Sequence, residues 1–242
     1  MYNSYKLGNN ENEVALYWFQ PSVQNRDLYV SDYAKLYGDI IYPAIVSIDG
    51  VGPGGTLQRP WVDSSPSNGL LSTNPYAKRW GQASTSKAGD VHFYNYDCDC
   101  EDYRVYIKGR FISEFGFQSH PSFLGYQPVS EPVDWKIDST FSEFLQRHEN
   151  GNQQIYDQLS KHFTLPDISS CELESDKRYF DMYLYLADIQ QGRCYETAIN
   201  RWRQLKSEED TQTMGILYWQ LNDLWQGFIY YYFIILLLLF FF

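Results

Sequence analysis

The apolar and polar positions of this chain alternate between short strand-like runs and longer helical ones. Asn12–Gly38 carries apolar residues at helix-like spacing, with Pro21 as a break. Asp32–Val46 predicts a helix whose apolar face includes Tyr33, Leu36, Ile40 and Ile41, and Pro43 should kink that helix or end it early. After a glycine and proline loop at Gly50–Gly55, Arg59–Gly69 reads as a short strand closing on the polar turn Asp63-Ser64-Ser65-Pro66. Further strands are expected within Gly89–Tyr96, Arg110–Phe117 and Met214–Asn222, each ending in polar or aromatic side chains. Between the last two lie the helical stretches Phe141–Phe163 and Ser175–Lys206. In the second of these, Tyr179, Met182, Tyr183 and Leu186 mark an apolar stripe.

Strands alternating with helices predict a parallel sheet, and chemistry gathered at strand C-terminal ends predicts a barrel over an open sheet. About four strands can be counted, where a closed barrel of this type has eight. The fold expected is therefore α/β, a partial (β/α)8 TIM-type barrel comprising roughly its second half. The C-terminal run Phe228–Phe242 contains only Phe, Ile, Tyr and Leu. As a helix it would extend about 22 Å, short of a hydrocarbon core of about 30 Å, although counting from Leu224 nearly closes the gap. A tail anchor, a buried terminal segment and sequence foreign to the parent protein compete as readings. The abrupt start after Trp225-Gln226, without flanking charges or amphipathic period, favours the last. The expected divisions are a leader at 1–7, the barrel segment at 8–226 and the apolar tail at 227–242.

A net charge of −11 opposes a phosphate-tracking surface, so nucleic acid is not an expected partner. Aromatic residues make up 18% of the chain, including 22 Tyr. Flat rings with polar edges suit sugar faces, although tyrosines spread over strands and loops would produce the same count. Cys98, Cys100, Cys171 and Cys194 are too few and too irregular for a disulfide scaffold; one disulfide is possible, with its partners left open. Cys98-Asp99-Cys100 has no second pair nearby, which disfavours zinc. Met1–Leu7 lacks the apolar stretch of a secretory signal, and no Asn-x-Ser/Thr sequon occurs.

Two glutamates stand in short distinctive settings, Glu11 in Gly8-Asn9-Asn10-Glu11 and Glu114 in Arg110-Phe111-Ile112-Ser113-Glu114-Phe115-Gly116. Cleaving a glycosidic bond needs an acid for the leaving oxygen and a second carboxylate on the other face of the anomeric carbon. In retaining enzymes the two lie about 5–5.5 Å apart. Asn10 beside Glu11 offers an amide to a sugar 2-hydroxyl, an interaction that tightens in the transition state. Five segments carry the resemblance. They are Gly8–Glu13, Ser64-Ser65-Pro66-Ser67-Asn68-Gly69, Gly89-Asp90-Val91-His92-Phe93-Tyr94-Asn95-Tyr96, Arg110–Ser119 and Thr213–Asp223. In this order they resemble β-mannosidase of glycoside hydrolase family 2, over approximately residues 8–226.

That resemblance implies Glu11 as acid/base, Glu114 as nucleophile, Asn10 on the substrate 2-hydroxyl and Trp219 as the aromatic floor under mannose. It implies that His92 and Tyr94 line the same rim, with Tyr94 orienting the nucleophile. The substrate would be a β-mannoside oligosaccharide, the compartment lysosomal, and no metal or organic cofactor would be needed. The pKa of Glu11 should rise through partial burial and the charge of Glu114, then fall once the glycosyl-enzyme forms. Bland readings stand beside these roles: Glu13 decorating a helix, His92 as a hydrogen-bonded core histidine, Trp219 as core packing, Asn222 and Asp223 ending the last strand, and His120 as a turn residue before Pro121.

Relative to the family layout of β-sandwich domains, complete barrel and further β-domains, the first strands, the sandwiches and everything past Trp225 are expected to be missing. Tyr5-Lys6-Leu7 stands where the family has a strand ending in Trp-Ser. A half-barrel leaves two open sheet edges. Two rival functions follow: a non-catalytic truncated product, membrane-associated only if the tail anchors it, and another family-2-type glycosidase acting on galactose or glucuronate.

Overall fold

The structure is a computed structural model describing residues 6–7, 22–50, 61–67, 84–86, 89–165, 173–221 and 227. Its contacts divide the chain into two compact units. The first comprises Met1–His92, Ile107–Glu114 and Leu205–Leu217, and the second Phe93–Tyr106, Phe115–Gln204 and Tyr218–Phe242.

Among the described residues the strands form two sheets. β1 (Lys6–Leu7) and β2 (Trp61–Val62) pair in parallel, with Lys6 opposite Trp61 and Leu7 opposite Val62. β3 (Val91–Phe93), β4 (Phe111–Phe115) and β5 (Gly215–Tyr218) form a three-stranded sheet in the order β3-β4-β5. The Met214 amide donates to the Arg110 carbonyl and the Trp219 amide to the Phe115 carbonyl, each at 2.7 Å. Because both partners advance together along the chain, β5 runs parallel to β4. Strands β2 to β5 each lie inside a segment where the sequence predicts a strand.

In the first unit, the helix Arg26–Tyr33 passes directly into a π-helical stretch, Ala34–Ile41, and then into a second α-helix, Tyr42–Asp49. Of the two outcomes expected at Pro43, a kink or an early end, the end does not occur. It occupies the first turn of the last segment, following the wider i→i+5 pattern that rearranges the backbone bonding at the point where a proline lacks its donor. The changed pitch also moves the buried face. Tyr33 and Tyr37 are buried with rings stacked 4.2 Å apart, while Leu36 and Ile40 are exposed. Deeper in this unit Val91 and Ile112 are fully covered, and Gly109 lies against them. A Cβ at Gly109 would sit 2.8 Å from Ile112 Cδ1. Thr213 locks the start of the β5 region by donating its hydroxyl to the Gly109 carbonyl at 2.7 Å.

The second unit is built on the 33-residue helix Leu173–Leu205. Its buried positions include Phe180, Leu184, Ala187, Gln191, Cys194, Tyr195, Ala198 and Trp202, the three-and-four spacing of one helical face. Tyr183 belongs to that face as expected, but Met182 points to solvent at 40% exposure. The stripe is thus displaced from the predicted one, because Phe180 rather than Tyr179 takes the inward place. Against it pack the helices Thr140–Leu145 and Gly151–His162 through Leu145, Ile155 and Leu159, with Phe123 and Tyr126 closing the cluster. Ser139 caps the first of these by accepting from the Ser142 amide.

Aromatic edges make up the other end of this core: Trp202 meets Phe93, Tyr106 and Phe115 in edge contacts with centroids 4.7–5.8 Å apart. Cys100 and Cys194 form a disulfide across 94 residues, leaving Cys98 as an exposed free thiol. His120, read from sequence as a turn residue, is instead 1% exposed, its ring 5.3 Å from that of Tyr183. Burial alone pushes its pKa down to about 3, so it is a neutral core imidazole.

Candidate active site

Three strand ends of the first unit deliver polar side chains to one place. β2 runs into Asp63-Ser64-Ser65-Pro66-Ser67, β3 is preceded by Asp90 and carries His92, and β4 carries Ser113 and Glu114. The His92 Nε2 atom lies 3.7 Å from Glu114 Oε2, with the His92 side chain 2% exposed and the Glu114 side chain 11%. The carboxylate is thus nearly enclosed while still reaching the surface, which suits a group that must meet a substrate. At 3.7 Å the pair is beyond an ordinary hydrogen bond.

Asp90 gathers the surrounding donors. Its Oδ1 accepts from the Ser67 amide at 2.7 Å and the Ser67 hydroxyl at 3.2 Å. Its Oδ2 accepts the hydroxyls of Ser65 and Ser113, each at 2.6 Å. The Ser65 hydroxyl oxygen also lies 2.8 Å from His92 Nε2 and 3.2 Å from Ser113 Oγ. Ser84 holds the His92 backbone from the other side: its hydroxyl accepts from the His92 amide at 3.2 Å and faces the His92 carbonyl at 3.1 Å. His92 is therefore hydrogen-bonded within a polar cluster beside Glu114, which fits its reading as a hydrogen-bonded core histidine as well as its reading as a site residue.

Next to this cluster Asp63 is 1% exposed, and neither of its carboxylate oxygens makes a well-formed hydrogen bond. Burial raises its pKa to about 7, with the amides of Asp63 and Ser64 offsetting part of the effect. Its backbone carbonyl accepts the Tyr33 hydroxyl at 2.6 Å.

Of the residues singled out by sequence, Glu114 and His92 are thus brought together. Tyr94 and Trp219 belong to the second unit. Tyr94 is half-buried with its ring 6.3 Å from that of Tyr96. Trp219 is 38% exposed; its backbone is pinned by the Phe115 carbonyl and by the Tyr195 hydroxyl on its own carbonyl. Glu11, Asn10, Glu13, Asn222, Asp223 and the run Phe228–Phe242 lie outside the described residues. The roles of Ser65, Asp90 and Ser113 were not assigned from sequence, although their motifs were. The available signal was a run of small hydroxyl residues beside an aspartate just before a strand.

Among the described residues, no group of three or more His, Cys, Asp or Glu side chains could hold a metal ion, and no helix is long and apolar enough to cross a membrane. No family model matches the chain. Rat β-mannosidase is 38% identical over 231 residues, covering 90% of this chain and 24% of that protein. The chain is homologous to the β-mannosidases. The probable β-mannosidase of Caenorhabditis elegans is 29% identical over 240 residues, again 90% of this chain, and β-mannosidase A of Emericella nidulans is 29% identical over 222. The crystal structure of β-D-mannosidase from Dictyoglomus thermophilum matches with a TM-score of 0.60 and 25% identity, over 81% of this chain and 21% of that one. The chain spans about a quarter of the length of the curated relatives it matches. Its combination of helices with parallel strands is consistent with a glycosidase fold.

Proposed function

We propose that this chain carries the two catalytic carboxylates of a retaining β-mannosidase and forms roughly the second half of its (β/α)8 barrel. The observation that carries the reading is Glu114, almost enclosed at the end of a parallel strand with a histidine nitrogen 3.7 Å from its carboxylate, in a chain homologous to β-mannosidases. A carboxylate oxygen of Glu114 attacks the anomeric carbon as the glycosidic C–O bond breaks, and Glu11 transfers its proton to the leaving oxygen. Glu11, now a carboxylate, takes a proton from water, whose oxygen displaces Glu114 and releases mannose. Asn10 holds the 2-hydroxyl. Trp219 offers an exposed ring suited to stacking on a sugar face, and Tyr94 is the further aromatic contact. No cofactor enters these steps.

A β-mannoside oligosaccharide is the substrate in this reading. The Cys100–Cys194 disulfide suits an oxidising, lysosome-directed route better than a reducing one. Exposure to a 2-deoxy-2-fluoro-β-mannosyl fluoride, followed by peptide mapping, should place one mannosyl label on Glu114. Hydrolysis of p-nitrophenyl β-mannoside should vanish in Glu114→Gln. A label on another carboxylate, or activity retained in that variant, rejects the assignment. Faster cleavage of the β-galactoside or β-glucuronide in the same panel rejects mannose.

A further inference from the structure

We propose that Asp90 is a positioning residue that acts through Ser65 to hold His92 as its neutral Nε2–H tautomer, with that N–H donated to Ser65 and its nitrogen facing Glu114. The proposal rests on the reading of Glu114 as the nucleophile for its catalytic meaning, but not for its structural content.

The inference comes from counting hydrogens. A carboxylate can only accept. Two serine hydroxyls stand 2.6 Å from the same oxygen of Asp90, so with Asp90 ionised each of these contacts must contain the hydroxyl hydrogen. The Ser67 amide already serves the other oxygen and can only donate. Ser65 has one hydrogen, and it is committed to Asp90. The Ser113 hydroxyl, 3.2 Å away, gives its own hydrogen to Asp90, and His92 Nε2 at 2.8 Å must then supply the hydrogen for its contact with Ser65. His92 therefore carries its proton on Nε2, the nitrogen that also faces Glu114 Oε2 at 3.7 Å.

The chemical consequence lies in the sign of the dipole presented to Glu114. A hydrogen on this nitrogen presents the positive end of the N–H dipole near the carboxylate, whereas the opposite tautomer would present a lone pair there. The Asp90-Ser65-His92 chain thus keeps a hydrogen, and not a lone pair, on the ring nitrogen nearest the nucleophile. The arrangement is also enclosed: Asp90 and Ser65 are buried, so water does not compete for these contacts, and hydrogen bonds to an ionised group are the stronger kind. Ser84 contributes by fixing the His92 backbone.

The test is imidazole 15N NMR on the full chain labelled with 15N-histidine, with the His92 signals identified by their loss in His92→Gln. The wild-type chain should show a neutral His92 with Nε2–H favoured on the order of ten to one, the preference one hydrogen bond sustains. In Asp90→Asn, the side-chain amide can donate to Ser65 Oγ. The Ser65 hydrogen is then free to turn toward the ring, and the population should invert toward Nδ1–H. Ser65→Ala removes the acceptor and should leave a mixture of tautomers. Unchanged signals from His120, His148 and His162 report that each variant is folded. An Nδ1–H or imidazolium His92 in the wild type, or an Nε2–H signal unmoved in both variants, overturns the proposal. Failure of the fluoromannoside to label Glu114 while His92 keeps its Nε2–H signature would reject the catalytic reading alone.

Discussion

Asp63 offers a direct measure of what an unpaired buried carboxylate costs this fold. Its side chain is 1% exposed, neither oxygen has a well-formed hydrogen bond, and burial raises its pKa from an ordinary 3.8 to about 7. Since one pKa unit corresponds to about 1.36 kcal/mol, the ionised form costs the native state about 4 kcal/mol. The sign follows from proton release. Below about pH 4 the group is protonated in both states and has no effect. Between about pH 4 and 7 the unfolded chain loses its proton first, so stability falls as pH rises; above about 7 the full cost applies. Asp63→Asn keeps the shape and removes the charge, and the Tyr33 bond to the residue 63 carbonyl is untouched. Urea unfolding midpoints should therefore coincide for the two chains near pH 4. The variant should be higher by about 2 M near pH 8, taking a denaturant slope of about 2 kcal/mol/M. Asp188, whose pKa burial raises to about 6, titrates in both chains and cancels in the difference. Parallel pH profiles for wild type and variant would refute the reasoning, as would a variant equally destabilised at every pH.

Two further predictions concern the second unit. Arg193 donates to Glu101, and that hydrogen bond foremost, against some desolvation, holds the Glu101 carboxyl below its ordinary 4.5. The wild-type stability advantage over Arg193→Gln should be complete above about pH 4.5 and shrink as pH falls through the lowered folded-state pKa, read as the acid limb of chemical denaturation. Replacing Cys100 and Cys194 together by alanine opens a 94-residue separation and should lower stability by about 4 kcal/mol; a chain whose unfolding midpoint is the same with and without the disulfide would contradict this.

The places where sequence reading succeeded and failed share a cause. Strand positions around Trp61–Val62, Val91–Phe93, Phe111–Phe115 and Gly215–Tyr218 were legible because short strand-like runs and the polar or aromatic residues that end them are local features. The unbroken helix through Pro43 was not legible, because the π-helical stretch before it has no local sequence signature. The stripe on Leu173–Leu205 was displaced because Phe180 and Met182 are both apolar, and only the neighbouring helices decide which is covered. His120 illustrates the same limit: a histidine before a proline suits a turn, and burial is a property of what packs over it.

By itself, the sequence determined the α/β alternation, the identity of the candidate carboxylates and the small polar residues that close the strands, since each depends on residue type and near spacing. Tertiary structure alone decided that Ser65, Asp90, His92, Ser113 and Glu114 meet, that Cys194 is the partner of Cys100, and that Asp63 is buried with no well-formed hydrogen bond to its carboxylate. These are relations between distant segments, and a hydrogen bond or a desolvated charge exists only once packing has set the distance and excluded water.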